Sequence, residues 1–411
     1  MAIVVQKYGG SSVATPEKFR RVARRIAWKR RQGFDVVVVV SAPGDTTDDL
    51  LEKAAAITNA PNPREMDVLL ATGEQVSIAL LAMALHEVGC PAVSLTGPQA
   101  GFQTDDNHRA ARIQHIDVTR VKQHLAEGKV CIVAGFQGLD NHGDQTTLGR
   151  GGSDASAIAL AAYLEADACQ IFTDVDGVYT SDPRLVSTAS RLDEISYDEI
   201  LELAAAGAQV MQLRSVEFAK QYGVEFEVLS SLATLPDEGG VEKGTKVVAA
   251  LNPHNTRVVS GVAVDSKVAY INVLNTPDRP GVAAKVFGAL GRAKVNVDMI
   301  VQSIGTGDLA FTCARDDLDL ALSVCQEAIA EFPGAQVIHR VDVAKVAIVG
   351  AGLASNYGVG AKMFEALSEN GINIELITGS EIKISCLVPA SQAVAAARAV
   401  HDKFELGSAA Q

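Results

Sequence analysis

Two short glycine turns hold the residue types from which a phosphate-binding site is made. The first, Lys7-Tyr8-Gly9-Gly10-Ser11-Ser12, follows an apolar run and precedes a helical pattern. Glycines at a strand-to-helix turn let backbone N–H groups approach phosphate oxygens. Gly9, Gly10 and Ser11 supply such amides, the helix N-terminus adds partial positive charge, and Lys7 adds a full one. Taken alone, the segment fits equally well a tight turn that happens to carry a lysine. The second turn, Leu148-Gly149-Arg150-Gly151-Gly152-Ser153-Asp154, again precedes an apolar helix. Cationic and amide donors, with an anion to organise lysine and metal, are the parts that phosphoryl transfer requires. Asp154 also fits a plain helix cap, but Arg150 and Ser153 beside it favour the chemical role. The chain has no G-x-x-x-x-G-K-[ST], H-R-D or D-F-G element, so neither the P-loop nor the protein-kinase solution applies.

The elements that must position these turns follow from the hydrophobic pattern. Short apolar runs at Ile3–Gln6, Val36–Val40, Ala92–Leu95, Val130–Ala134, Gln170–Thr173 and Glu225–Leu229 alternate with Ala- and Leu-rich stretches such as Gln75–Val88 and Ala155–Glu165. Apolar strands separated by helices predict an α/β domain with a mostly parallel sheet covered on both faces. Glu74, in Thr72-Gly73-Glu74 ahead of a long apolar helix, reads by itself as a first-turn acid favoured by the helix dipole. Pro236, Gly239, Gly240 and Gly244 mark the end of the first domain, with a linker around Asn252–Thr256. The basic stretch Lys18–Arg31 keeps Phe19, Val22, Ala23 and Ile26 at helical spacing, which predicts a solvated helix face with some charges near a nucleotide.

Beyond the linker the chain repeats itself. GVAAKVFGALGRAKVNVDMI at 281–300 and GVGAKMFEALSENGINIELI at 358–377 are offset by 77 residues. Each copy continues into a second strand and helix, Ala310–Cys313 with Leu318–Glu331 and Ile382–Leu387 with Gln392–Phe404. Two βαββαβ modules of about 70 residues are predicted. Val349-Gly350-Ala351-Gly352 looks like a dinucleotide-binding turn, but Ser355 stands at the third glycine position and too little chain remains for a nucleotide domain.

Composition narrows the partners. The 411 residues allow two or three domains, and 36 Lys and Arg against 49 Asp and Glu give a net charge of −13, which disfavours nucleic acid. The six cysteines never form C-x-x-C and read as reduced core residues, with no metal site expected. No apolar run approaches the ~20 residues of a membrane span, and no charged region precedes Ala2–Val5. A soluble cytoplasmic protein is expected.

Several of these segments carry a family resemblance. KYGGSSVA at the start, VVVVVSAPGDTTDDL at 36–50, ATGEQVS at 71–77, LGRGGSDASA at 148–157, FTDVDGVYTSDPR at 172–184 and the tandem repeat together resemble the aspartate kinases of the amino-acid kinase family. The resemblance implies a three-layer α/β/α kinase domain over 1–250, a linker and leading strand over 251–265, and ferredoxin-like ACT modules over 266–340 and 341–411. It implies transfer of the ATP γ-phosphoryl group to the β-carboxylate of L-aspartate, with Mg2+ carried mainly on the phosphates. Lys7 is then the group that stabilises the transferring phosphoryl, and Asp154 organises that lysine. Arg150 meets the α-carboxylate, Glu74 meets the α-ammonium, and Ser41, Thr47, Gly152 and Ser153 complete the pocket. Thr173, Asp174, Tyr179 and Arg184 are implied around the nucleotide; Asp174-Val175-Asp176-Gly177 alone would pass for a turn. Asp278, Gly281, Ala283, Asp298, Gln302 and Asn373 are implied as contacts for lysine or threonine as effectors, with the ACT modules joining a homo-oligomer. Gln209 stands where many family members have lysine, and a basic residue between Arg20 and Arg25, or Arg214, is expected to compensate. The alternatives are a kinase for another amino-acid carboxylate and an inactive amino-acid sensor.

Overall fold

The computed structural model describes residues 1–208, 211–252, 257–303 and 305–407, so Gln209 and linker residues 253–256 lie outside the described residues. Two compact units are present: Met1–Val178 with Arg191–Leu201 and Gln209–Asn252, and Tyr179–Ser190 with Glu202–Ala208 and Pro253–Gln411.

The first unit contains, in order, β1 (Ile3–Tyr8), α1 (Pro16–Arg31), β2 (Asp35–Val40), α2 (Thr46–Ile57), α3 (Pro63–Glu87), β3 (Ala92–Leu95), β4 (Phe102–Thr104), β5 (Ile113–Ile116), α4 (Thr119–Ala126) and β6 (Val130–Ala134). It continues through β7 (Gln137–Leu139), β8 (Gln145–Thr147), α5 (Gly152–Leu164), β9 (Ala168–Thr173), β10 (Glu194–Ser196), α6 (Tyr197–Ala205), α7 (Leu213–Tyr222), β11 (Phe226–Ser230) and β12 (Thr245–Val248), with α6 running into the second unit. Eight strands form one sheet in the order β10-β12-β11-β9-β1-β2-β6-β3. The six strands expected from sequence are all in it and mutually parallel, and only β12 and β10 run the other way. The unbroken valine run of β2 is buried over Val36–Val40, as a strand covered on both faces requires.

β1 lies between β2 and β9, so the chain builds outward from β1 first to one side and then to the other. That is the switch point at which open α/β sheets leave a crevice beyond the carboxyl ends of their strands. A small second sheet, β5-β4-β7-β8, was not foreseen. Three of its strands have three residues each, too few to show a period. The segment 232–244 does not end the domain but links the antiparallel pair β11 and β12. Helix α3 starts at Pro63, with Asn62 accepting a hydrogen bond from the Arg64 N–H, so Glu74 sits in mid-helix rather than in a first turn. By length and composition α3 could also cross a membrane, contrary to the sequence reading, but 56% of its most apolar window is buried, as in a core helix.

The second unit carries β13 (Gly261–Asp265), β14 (Val268–Leu274), α8 (Val282–Arg292), β15 (Val297–Gln302), β16 (Leu309–Ala314), α9 (Leu318–Ile329), β17 (Gln336–Arg340), β18 (Val343–Val349), α10 (Val359–Glu369), β19 (Leu376–Gly379), β20 (Lys383–Pro389) and α11 (Ala393–Lys403). The boundaries of α8 and α10 differ by the 77-residue repeat. The first copy is a complete βαββαβ module with antiparallel sheet order β15-β16-β14-β17. The second departs from expectation: its chain supplies only βαββα, and β13, from before the first copy, pairs with β18 as the fourth strand. Val262 is wholly buried in the core of the second copy beside Val346, Ile348 and Val388. The glycine turn that begins at Val349-Gly350 therefore follows a strand of this module and not a nucleotide-binding strand.

Candidate active site

Three loops meet beyond the carboxyl ends of β1, β2 and β6 and enclose a cavity of about 470 Å3 with the start of α5 and one face of α3. Lys7 reaches it from the penultimate position of β1. The strand end is fixed by Tyr8 stacking on Phe172 of β9, ring centroids 4.7 Å apart, and by Tyr8 donating to Gln6 at 3.2 Å. The Lys7 Nζ lies 2.6 Å from Asp154 Oδ1, and both side chains are largely buried. Asp154 is the acid of the first turn of α5, where the helix dipole favours a negative charge. Gly151 makes that start possible: it has φ 72°, and a Cβ there would run into the Gln212 side chain.

Glu74 enters from α3. Its Oε1 accepts a hydrogen bond from the Ala42 N–H at 3.0 Å, whereas the buried Oε2 has no hydrogen-bond partner among the described residues. Burial pushes this carboxyl up to about 7. The helix can approach the 41–44 loop because residue 73 is glycine; a Cβ would stand 2.7 Å from that of Ala42. One turn on, Ser77 Oγ donates to the Ser41 carbonyl at 2.7 Å and ties the same loop to α3.

Of the residues named from sequence, Lys7, Gly9, Gly10, Ser41, Thr47, Glu74, Arg150, Gly152, Ser153 and Asp154 all line this one cavity. Arg150 is exposed, with no hydrogen bond or ion pair among the described residues. Ser11 faces outward, its carbonyl accepting from Lys18 Nζ at 2.8 Å. Thr173 and Asp174 stand at the carboxyl end of β9, hydrogen-bonded to each other at 3.0 Å, but do not line the cavity. Tyr179 and Arg184 belong to the second unit, where Arg184 pairs with Asp182 at 2.7 Å.

Of the expected substitutes for a lysine at 209, Arg20 is exposed, and the other four are engaged elsewhere. Arg21 donates to the Leu232 and Ala233 carbonyls, and Arg24 pairs with Asp237 and Glu238. Arg25 is buried over the Phe172 ring and donates to Ser231 and Ala233, and Arg214 donates to Leu148 and Ala111. These four arginines brace loops.

Sequence reasoning missed Arg109, Phe136, Thr147 and Gln212 in the lining, and Asp67 behind it. Asp67 is fully buried on α3 and accepts from Thr147 Oγ1 at 2.6 Å, from the Arg109 N–H at 3.0 and 3.1 Å, and pairs with His108 Nδ1 at 2.8 Å. Its seven-residue spacing from Glu74 would have placed both acids on one helix face had the start of α3 been recognised. A larger hollow of about 790 Å3 is lined by Arg112, Leu148, Arg214, Glu217, Phe218 and Tyr222, with three charged side chains against six in the first.

In the second unit, Asp298 is half-buried and paired with the buried Lys345 of the other copy at 2.8 Å. Burial pushes its carboxyl up, but the Lys345 hydrogen bond and charge and the Met299 N–H outweigh that and hold it below its ordinary range. Asp278, Gly281, Gln302 and Asn373 are exposed, and Ala283 is half-buried. Asn373 lines a shallow hollow with Phe364 and Ser368.

Residues 2–230 match the model of the amino acid kinase family, and 275–329 and 346–404 match an ACT domain model. The aspartokinase of Corynebacterium glutamicum is 48% identical over 415 residues, covering 99% of this chain and 97% of that protein. Among solved structures, E. coli aspartokinase III in complex with aspartate and ADP gives a TM-score of 0.78 at 28% identity, covering 98% of this chain and 99% of that one. The same enzyme with lysine and aspartate gives 0.77 at 28% identity and the same coverage. The chain belongs to the amino acid kinase family, and within it to the aspartokinases that carry paired ACT domains.

Proposed function

We propose that the chain transfers the γ-phosphoryl group of ATP to the β-carboxylate of L-aspartate, giving 4-phospho-L-aspartate and ADP. The observation that carries this is the set of charges in one cavity: Lys7 paired with Asp154, the half-satisfied Glu74, and Arg150, whose guanidinium has no partner among the described residues. Aspartate offers the complement, a carboxylate to react, an ammonium, and a second carboxylate to hold. The similarity to a relative solved with aspartate and ADP supports the same reading.

The β-carboxylate, with a reference pKa of ~3.9, is already ionised, so no general base is needed. Its oxygen attacks the γ-phosphorus in line; the bond to the β–γ bridging oxygen breaks, and that oxygen leaves on ADP. The barrier is repulsion between two anions. Lys7 lowers it by standing at the equatorial oxygens, and Asp154 holds Lys7 there. The Ser153 and Asp154 amides of the first turn of α5 add donors, whereas that of Gly152 donates to the Gly149 carbonyl at 3.0 Å. Arg150 grips the α-carboxylate with its planar fork. Mg2+ would neutralise the β- and γ-phosphate oxygens; with Asp154 engaged by Lys7, the residues fit a metal carried on the nucleotide. Thr173, Asp174, Tyr179 and Arg184 are assigned to the nucleotide.

The proposal extends to regulation by lysine, threonine or both, bound by Asp278, Gly281, Ala283, Asp298, Gln302 and Asn373. It also extends to a homo-oligomer joined through the ACT modules, for which the exposed Ile300 and Ile377, equivalent in the two copies, are suitable. We place the enzyme in the cytoplasm, in keeping with six buried, unpaired cysteines. The test is ATP turnover with aspartate against glutamate, titrated with lysine and threonine separately and together. Lys7→Ala should cut turnover by about 100-fold or more and leave effector binding intact. Undiminished turnover in that variant would refute the mechanism.

A further inference from the structure

Arg109 is an unusual residue for its position. Its φ is 68°, in the left-handed region where a side chain is disfavoured and glycine or asparagine is the ordinary choice. The chain nevertheless holds it there firmly. The Arg109 N–H donates to both oxygens of Asp67, at 3.0 and 3.1 Å, and that carboxylate is wholly buried and further held by Thr147 and His108. Asp67 lies two helical turns before Glu74, so one face of α3 fixes both the loop and the substrate-binding acid. Arg109 is exposed and lines the cavity, and its guanidinium has no hydrogen bond or ion pair among the described residues. Its backbone abuts the Arg150 loop: a Cβ on Gly149 would stand 3.0 Å from the Arg109 carbonyl oxygen.

We infer that Arg109 is a second arm of the clamp on the substrate α-carboxylate, beside Arg150. This rests on the aspartate reading of the cavity and adds a recognition residue to it. A carboxylate has about four acceptor sites, and one bidentate guanidinium uses only two. Two cations on one carboxylate, with Glu74 on the ammonium, decide which end of aspartate points toward Lys7. The residue acts on substrate recognition and not on the phosphoryl group, which Lys7 serves.

The test compares the full-length enzyme with Arg109→Gly and Arg109→Lys. Glycine suits the left-handed backbone, so the first variant should melt no lower than the parent, and a kinetic change cannot be assigned to misfolding. The expected result is a KM for L-aspartate raised on the order of tenfold, the effect of losing one charged hydrogen-bonding partner. kcat and the KM for MgATP should stay within about twofold, with partial recovery in Arg109→Lys. Preference for aspartate over its α-amide, as a ratio of kcat/KM, should fall by the same factor. An unchanged aspartate KM, or a rise confined to MgATP, would overturn the assignment. Absence of aspartate turnover in the parent enzyme would instead sink the underlying reading of the cavity.

Discussion

Burial gives Glu74 a pH signature of opposite sign in the free and bound states. Its carboxyl is raised from 4.5 to about 7 by desolvation, so in the free protein its contribution to stability is fully present below 4.5 and lost as pH rises through 7. Substrate binding runs the other way, because only the carboxylate can meet an ammonium. The KM for aspartate should therefore fall as pH rises, by about tenfold between about pH 6 and about pH 8. Initial rates across that range test this; in Glu74→Gln the dependence should vanish, and a flat parent profile would remove Glu74 from the ammonium site. Lys7, Arg150 and Asp154 were readable from sequence because glycine turns announce themselves locally. Asp67 and Arg109 were not, since their pairing spans 42 residues and leaves no local pattern.

Elements with a strong period were legible, and those without one were not. The apolar runs of β1, β2, β3, β6, β9 and β11 located the main sheet, whereas the three-residue strands of the small sheet gave no signal. The start of α3 was misplaced because Gly73 looks like a boundary, although tertiary packing is what requires it. Gly73→Ala sets two effects against each other. Alanine gains about 1 kcal/mol in helix propensity, while overpacking a tight contact costs about 1–3 kcal/mol. With 2.7 Å between the new Cβ and Ala42, overpacking should win and move α3 off the loop. Calorimetry should show a lower melting temperature, and kinetics an aspartate KM raised about fivefold or more as Glu74 parts from the Ala42 N–H.

At the scale of the chain, the repeat revealed two modules but not how they share strands. Similarity between copies covers a helix and its following strand, and says nothing about which segment closes a sheet. β13 does so for the second copy, and its Val262 is wholly buried there. A fragment of residues 258–411 should thus be more stable than one of 266–411. Burying that valine is worth about 1.5–3 kcal/mol, and thermal unfolding should separate the two fragments by about 3–12 °C. The shorter fragment should also aggregate, because an uncovered β18 edge invites pairing with other chains. Equal melting of the two would mean that β13 adds nothing to that module.

In the β13–β18 pair, Asp265 stands opposite Lys345, so the chain leaves the second copy and returns to it at nearly one point. Everything between is, in effect, an oversized hairpin tip. Such a segment can be exchanged, duplicated or excised as a cassette with two neighbouring junctions, and a short turn from 265 to 343 would reseal the host sheet. The effector contacts proposed in the first copy could then be exchanged in one piece, leaving Asn373, Lys345 and the residues that handle phosphate in place.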